Sequence, residues 1–107
     1  MNTLVHEIVV PASHPSLAGH FQGQPIVPAV VLLDAVLAAV RTREAFVLQS
    51  ISAAKFLQPV LPEERIELRI QFTAMEAAKL RASFQGLRAD SVVFEGSFVV
   101  SAPGSAS

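Results

Sequence analysis

Asp34 is the residue of this sequence whose surroundings suit it least. It lies in Val30-Val31-Leu32-Leu33-Asp34-Ala35-Val36-Leu37-Ala38-Ala39-Val40, one carboxylate among ten apolar neighbours. Burying an unpaired carboxylate is expensive, so it must be paired, neutral, or open to a cavity or to water. Taken alone, it reads as a carboxylate that faces solvent or satisfies a nearby backbone amide. His20 stands in Gly19-His20-Phe21-Gln22-Gly23-Gln24-Pro25. A neutral imidazole accepts a proton near neutral pH and a carboxylic acid donates one. A single histidine between prolines and glycines is nonetheless ordinarily a polar surface residue, and His6 and His14 carry no more information than that. Cysteine is absent, which removes disulfides, thiolate metal sites and a thiol nucleophile together.

The elements that must position these residues follow from periodicity. Leu4 to Val10 is rich in β-branched residues and reads as a first strand, closed by Pro11. His14 to Pro28 holds three prolines, two glycines and two histidines, a long loop of the kind that contributes to sites more often than it idles. Ala29 to Arg43 is expected to be a helix. Pro28 suits its first turn, where no backbone donor is needed, and Arg41 and Arg43 sit where the helix dipole favours cations. Because the helix is apolar all round, it is expected to be central and buried. The period then changes to two. Ala45 to Ser52 reads as a strand, and Glu64 to Phe72 alternates Ile66, Leu68, Ile70 and Phe72 against Glu67, Arg69 and Gln71. Leu80, Ala82 and Phe84 mark the next strand and Ser91 to Val100 the last, with hairpin-length connections around Ala74–Ala78 and Gly86–Asp90. The pattern is an antiparallel sheet with one long helix, an α+β domain spanning residues 1–107, with a disordered tail expected over 102–107.

The stretch from Gly19 to Asp34 resembles the signature of the β-hydroxyacyl-acyl-carrier-protein dehydratases, roughly Gly-His-Phe-Pro-Gly-x-Pro-(Val/Ile)-(Met/Val)-Pro-Gly-Val-Leu, two apolar residues, then Glu or Asp. The fourteen-residue step from His20 to Asp34 is the family step, and Gly23, Pro25 and Pro28 fall in register. A second block, Ala54-Lys55-Phe56-Leu57-Gln58-Pro59-Val60-Leu61-Pro62, is similar to the family's Lys-Phe-(Leu)-x-Pro-Val-x-Pro stretch. The resemblance runs from about Pro11 to Phe72, and among relatives the Leu-Leu-Asp form and short length look most like dehydratases of aryl polyene pathways.

This resemblance implies a hotdog fold, an antiparallel sheet of about five strands wrapped around one long central helix. It implies a dehydratase that turns β-hydroxyacyl thioesters into trans-2-enoyl thioesters in fatty acid or polyene-type biosynthesis. His20 would take the α-proton and Asp34 would protonate the departing hydroxyl, in apolar surroundings that keep the acid neutral for that duty. The Ala29 N–H, at the helix N-terminus, would stabilise the enolate oxygen. Phe21, Gly23 and Val30 would line the acyl tunnel. No metal and no cofactor of its own is implied, since the substrate rides on the phosphopantetheine of acyl carrier protein. The implied assembly is a homodimer with the site at its interface, or a heterodimer with a related dehydratase. Three departures accompany the match: Gln22 replaces proline, Ala29 replaces glycine, and Ala38 replaces a glutamine one turn after the acid. They leave open a weakly active or inactive partner subunit, and a hotdog thioesterase is the further alternative.

Composition narrows the rest. Hydrophobic residues make up 51% and charged residues 16% of 107 residues, enough for one core and for a surface that calls for a second copy. The net charge is −1, without a basic stripe, Trp or Tyr, so nucleic acid is not an expected partner. Ile26 to Val40, broken by Pro28 and Asp34, is too short to cross a bilayer. With no secretory signal at the N-terminus, a cytoplasmic protein is expected.

Overall fold

A computed structural model describes residues 2–15 and 26–103 of the chain. The elements are β1 (Thr3–Ile8), α1 (Ala29–Arg43), β2 (Val47–Phe56), β3 (Ile66–Ala74), β4 (Lys79–Arg88) and β5 (Ser91–Ser101). The strands form one antiparallel sheet in the order β1-β3-β4-β5-β2. β3, β4 and β5 follow one another through tight turns, whereas β1 and β2 are its two edges. The chain that joins those edges carries α1, and the helix packs on one face of the sheet.

That face is built by alternation. In β3, Ile66, Leu68, Ile70 and Phe72 are buried while Glu67, Arg69 and Gln71 are exposed, as a half-buried strand requires. The register sets Phe84 opposite Ile70 and Ala82 opposite Phe72, and Phe98 opposite Ala82. The rings of Phe84 and Phe98 lie 5.0 Å apart at 49°, within the range that tilted aromatic pairs prefer. Two glycines make room for this cluster. A Cβ on Gly86 would lie 2.3 Å from the Phe94 ring, and one on Gly96 would lie 2.3 Å from the Ala53 carbonyl oxygen and 2.7 Å from Phe84.

α1 meets this surface with Leu32, Val36, Ala39 and Val40, the i, i+4, i+7, i+8 stripe of one helix face. Burying Leu32, Val36 and Val40 contributes about 1.5–3 kcal/mol each. The far end of the helix is fixed by two arginines. Arg43 donates to the Thr3 carbonyl and lies 5.0 Å over the Phe72 ring, and Arg41 donates to the Phe46 carbonyl.

The helix bounds agree with the sequence reading, but its expected burial on all sides does not hold for the single chain. Ala29, Val30, Asp34 and Ala38 are exposed. One face of the helix is enough to cover the sheet, and among the described residues nothing covers the opposite ridge. Three strands also differ from expectation. β1 spans Thr3–Ile8 instead of running to Val10, because Ile8 already faces Ile66, the first residue of β3, and the Val10 carbonyl instead accepts the Glu63 N–H. β2 continues to Phe56, past the expected end at Ser52, since pairing with β5 overrides the weak strand preference of Ala53, Ala54 and Lys55. β3 starts at Ile66 and not at Glu64, whose carboxylate closes the preceding turn by accepting the Leu61 N–H.

Both expected hairpins are present. Ala89 and Asp90 alone connect β4 to β5, with φ of 49° and 69°, and Ala77 and Ala78 turn β3 into β4 with φ of 61° and 58°. Consecutive left-handed residues match the right-handed twist of the flanking strands. Of the expected disordered tail, residues 104–107 lie outside the described residues.

Candidate functional site

Pro28 is the N-cap of α1 and provides no side-chain cap; the first turn holds no acidic residue. The first N–H groups of a helix have no partner within it, so the end at Ala29 offers donors and a positive dipole. It is held in place by its approach. The Val27 N–H donates to the Val60 carbonyl at 2.8 Å, tying the residues before the helix to the segment that follows β2.

Between these two segments runs an apolar groove of about 220 Å³, with Ile26, Ala29 and Leu32 on one wall and Phe56, Leu57 and Pro59 on the other. Ala29 is thus both the helix's first residue and part of the groove. Asp34 projects from the second turn, exposed, on the same ridge as Val30, which is 71% exposed and lies outside the groove lining. A carboxylate on an otherwise apolar ridge is the arrangement that the sequence suggested, but in the single chain the ridge is open. His20, Phe21 and Gly23 lie outside the described residues. His6 lies half-buried on β1, opposite Leu68.

A larger hollow of about 680 Å³ lies on the helix-free face of the sheet, where Lys55, Arg69, Gln71, Gln85 and Glu95 line it. It touches neither α1 nor Asp34, so the smaller groove is the candidate site despite its size. Among the described residues, no group of three or more His, Cys, Asp or Glu side chains could hold a metal ion. Among them, too, no helix is long and apolar enough to cross a membrane.

The Phe56–Val60 wall was not singled out as a site by the sequence, although it belongs to the second block of resemblance. The brace behind it has no sequence signal. Arg88 donates to the Pro59 carbonyl at 3.0 Å, to Glu64 at 2.9 Å and to the Gln58 side chain at 2.9 Å. These partners are 24 to 30 residues away along the chain, and only the sheet brings them together.

Residues 1–97 match the model of the ApeI-like family, ApeI dehydratase. The chain belongs to this family. It is 34% identical over 104 residues to the 3-hydroxyacyl-[acyl-carrier-protein] dehydratase FabZ of Chlamydia trachomatis serovar L2, a match covering 85% of this chain and 68% of the relative. Against FabZ of Mannheimia succiniciproducens it is 38% identical over 72 residues, covering 58% and 48%. Among solved structures, the dehydratase heterocomplex ApeI:P from Xenorhabdus doucetiae superposes with a TM-score of 0.73 at 22% identity, over 94% of this chain and 88% of the other. The fluoroacetyl-CoA-specific thioesterase FlK superposes with a TM-score of 0.72 at 11% identity, covering 92% and 83%. The fold is therefore the expected hotdog fold. Because a thioesterase shares it, the architecture alone does not choose the reaction. The family model and the FabZ relatives agree with the reading of this chain as a dehydratase of β-hydroxyacyl thioesters.

Proposed function

We propose that this ApeI-like protein dehydrates 3-hydroxyacyl thioesters presented on acyl carrier protein, with His20 as base and Asp34 as acid. The observation that carries the reading is the carboxylate of Asp34 on an open apolar ridge, just beyond an uncapped helix N-terminus that lines an apolar groove.

The neutral imidazole of His20 takes the α-proton, and the C–H electrons move into the thioester carbonyl as an enolate. The Ala29 N–H donates to that oxygen. The enolate then collapses, forming the α,β double bond as the β-carbon–oxygen bond breaks, and Asp34 gives its proton to the hydroxyl, which leaves as water. The proton held by the imidazolium returns to the Asp34 carboxylate through solvent. The steps balance without a metal, an oxidant or a cofactor, and the phosphopantetheine belongs to the carrier. Each proton-transfer group contributes about 10²–10⁴-fold.

A second copy of the chain completes the site. β2 is an edge strand of ten residues, nine of them exposed, including Ile51 and Phe56. An exposed apolar edge of this length pairs with another strand or aggregates. Pairing β2 with its counterpart gives a two-fold dimer in which the Asp34 ridge acquires apolar cover. The ApeI:P structure is a heterocomplex, which favours one second reading, that the chain pairs with a related dehydratase and not with itself.

The test is the interconversion of a 3-hydroxyacyl and an enoyl thioester by the purified protein beside His20→Ala and Asp34→Asn. The expected outcome is a fall of at least about a hundredfold in both variants. Free acid in place of the enoyl product would refute the dehydratase in favour of a thioesterase. Folded protein that acts only after a related dehydratase is added would establish the heterodimer.

A further inference from the structure

Beyond Phe56, the groove wall opposite α1 is not held by the sheet ladder. The ladder of β2 ends at Phe56, opposite Phe94, and the next two N–H groups, of Leu57 and Gln58, both donate to the Val93 carbonyl at 2.8 and 3.1 Å. Pro59 and Pro62 follow. Proline has no N–H, so this stretch does not continue as a paired strand. The Pro59 carbonyl needs a donor from elsewhere, and Arg88 supplies it.

Arg88 is the last residue of β4 and pairs with Ser91 across the turn to β5, so its backbone is fixed by the sheet. Its guanidinium reaches both limbs of the turn that follows β2: the Pro59 carbonyl at 3.0 Å, Gln58 Oε1 at 2.9 Å and Glu64 Oε1 at 2.9 Å. The same Glu64 oxygen accepts the Leu61 N–H at 2.7 Å. A planar fork of fixed donors suits such a set of acceptors. The Arg88 and Glu64 side chains are 31% and 26% exposed, partly withdrawn from the solvent that weakens surface ion pairs.

The front of the braced wall is apolar. Phe56 and Leu57, both partly exposed, and Pro59 face Ile26, Ala29 and Leu32 across the groove. The α1 side is anchored independently, since Leu32 and Val36 seat the helix in the core. Among the described residues, the Val27 N–H on the Val60 carbonyl is the hydrogen bond that crosses from one side to the other. The width of the groove therefore depends on what stands behind the wall. Each methylene of an apolar chain adds to binding where both walls close on it, and a chain too short to reach Leu57 and Pro59 gains nothing from them.

We propose that Arg88 is a positioning residue that determines substrate specificity: by holding the Leu57–Pro59 wall against the start of α1, it sets a preference for long apolar acyl chains over short ones. The proposal rests on the reading of the groove as the acyl site of a thioester enzyme. Arg88 touches no substrate and acts through Gln58, Pro59 and Glu64. Asp34 and Ala29 belong to α1, which the brace does not touch, so the effect falls on binding and not on the chemical step.

The test compares binding of the amide analogues of decanoyl- and butanoyl-pantetheine by calorimetry. The amides undergo neither dehydration nor thioester hydrolysis, so they read the groove whether or not the protein is a dehydratase. Arg88→Ala is expected to weaken the decanoyl amide by about tenfold, the scale of a lost apolar contact in a pocket, and the butanoyl amide by less than about twofold. With the matching 3-hydroxyacyl thioesters, KM for the long chain should rise by about the same factor while kcat stays within about twofold. Glu64→Ala should act in the same direction, and it carries the test if Arg88→Ala does not fold. Glu64→Gln keeps one carbonyl oxygen for both Leu61 and Arg88 and should bind like wild type. Leu80→Ala, at the opposite end of β4, lowers stability without touching the brace and should keep the wild-type preference. Failed dehydration with the decanoyl effect intact would refute the enzyme reading alone. Wild type without a preference for the decanoyl amide would overturn the proposal. So would equal losses for both chain lengths in Arg88→Ala, or the same loss of preference in Leu80→Ala.

Discussion

Replacing Gly96 by alanine probes how firmly β2, and with it one wall of the groove, is held. Gly96 lies on β5 between Phe84 of β4 and Ala54 of β2. The new Cβ would stand 2.3 Å from the Ala53 carbonyl oxygen, about 0.7 Å closer than real Cβ contacts allow, and 2.7 Å from Phe84 Cζ. The first contact is with backbone, so it is relieved only by moving β2 away from β5 and lengthening the hydrogen bonds between them. Phe84 is fully packed between Phe94 and Phe98 and has little room to turn. Overpacking of this kind costs about 1–3 kcal/mol. The lost flexibility of the unfolded chain returns about 0.4–1 kcal/mol, leaving a net destabilisation of about 1.3 kcal/mol from the middle of both ranges. For a domain of this size that is a fall of about 5–10 °C in melting midpoint. Thermal unfolding followed by circular dichroism at fixed protein concentration measures it. Dehydration well below the midpoint should also fall, because β2 runs directly into Phe56 and the groove wall. A midpoint equal to or above wild type would refute the reasoning, since it would mean that β2 yields freely and does not fix the wall.

Two further outcomes are expected. Ile51→Lys places a charge on the exposed β2 edge, where a substitution costs the single chain no more than about 0.5 kcal/mol. It should convert a homodimer into a monomer by light scattering with unchanged far-ultraviolet circular dichroism, and a persistent dimer would rule out pairing through β2. Ala77→Asn combined with Ala78→Gly relieves two left-handed alanines, each strained by about 1–2 kcal/mol, against the chain entropy of the new glycine, about 0.5–1 kcal/mol. The difference, about 1–3.5 kcal/mol, should raise the melting midpoint by at least about 4 °C, and no rise would show that the turn carries no such strain.

Short-range pattern decides much of this protein. The alternation of Ile66, Leu68, Ile70 and Phe72 identifies a half-buried strand from spacing alone, and Pro28 and Arg43 bracket the helix. Such features repeat every two to four residues, so a single stretch of chain contains the whole signal. The resemblance between Gly19 and Asp34 is also local, which is why the family is legible in the amino-acid sequence by itself.

What the sequence leaves undecided depends on partners far apart in the chain. β2 runs on through Ala53-Ala54-Lys55, residues with weak strand preference, because β5 offers them a ladder. Sequence overstates the burial of α1 for a related reason. Apolar residues all round a helix show that every face needs cover, but not whether the cover comes from the same chain. Here the sheet takes Leu32, Val36, Ala39 and Val40, and leaves Val30, Asp34 and Ala38 exposed. The Arg88 brace and the hydrogen bond from the Ala12 N–H to Glu63 join residues 24 to 51 positions apart. No periodicity encodes such contacts, since sheet order alone determines which distant carbonyls and carboxylates face each other.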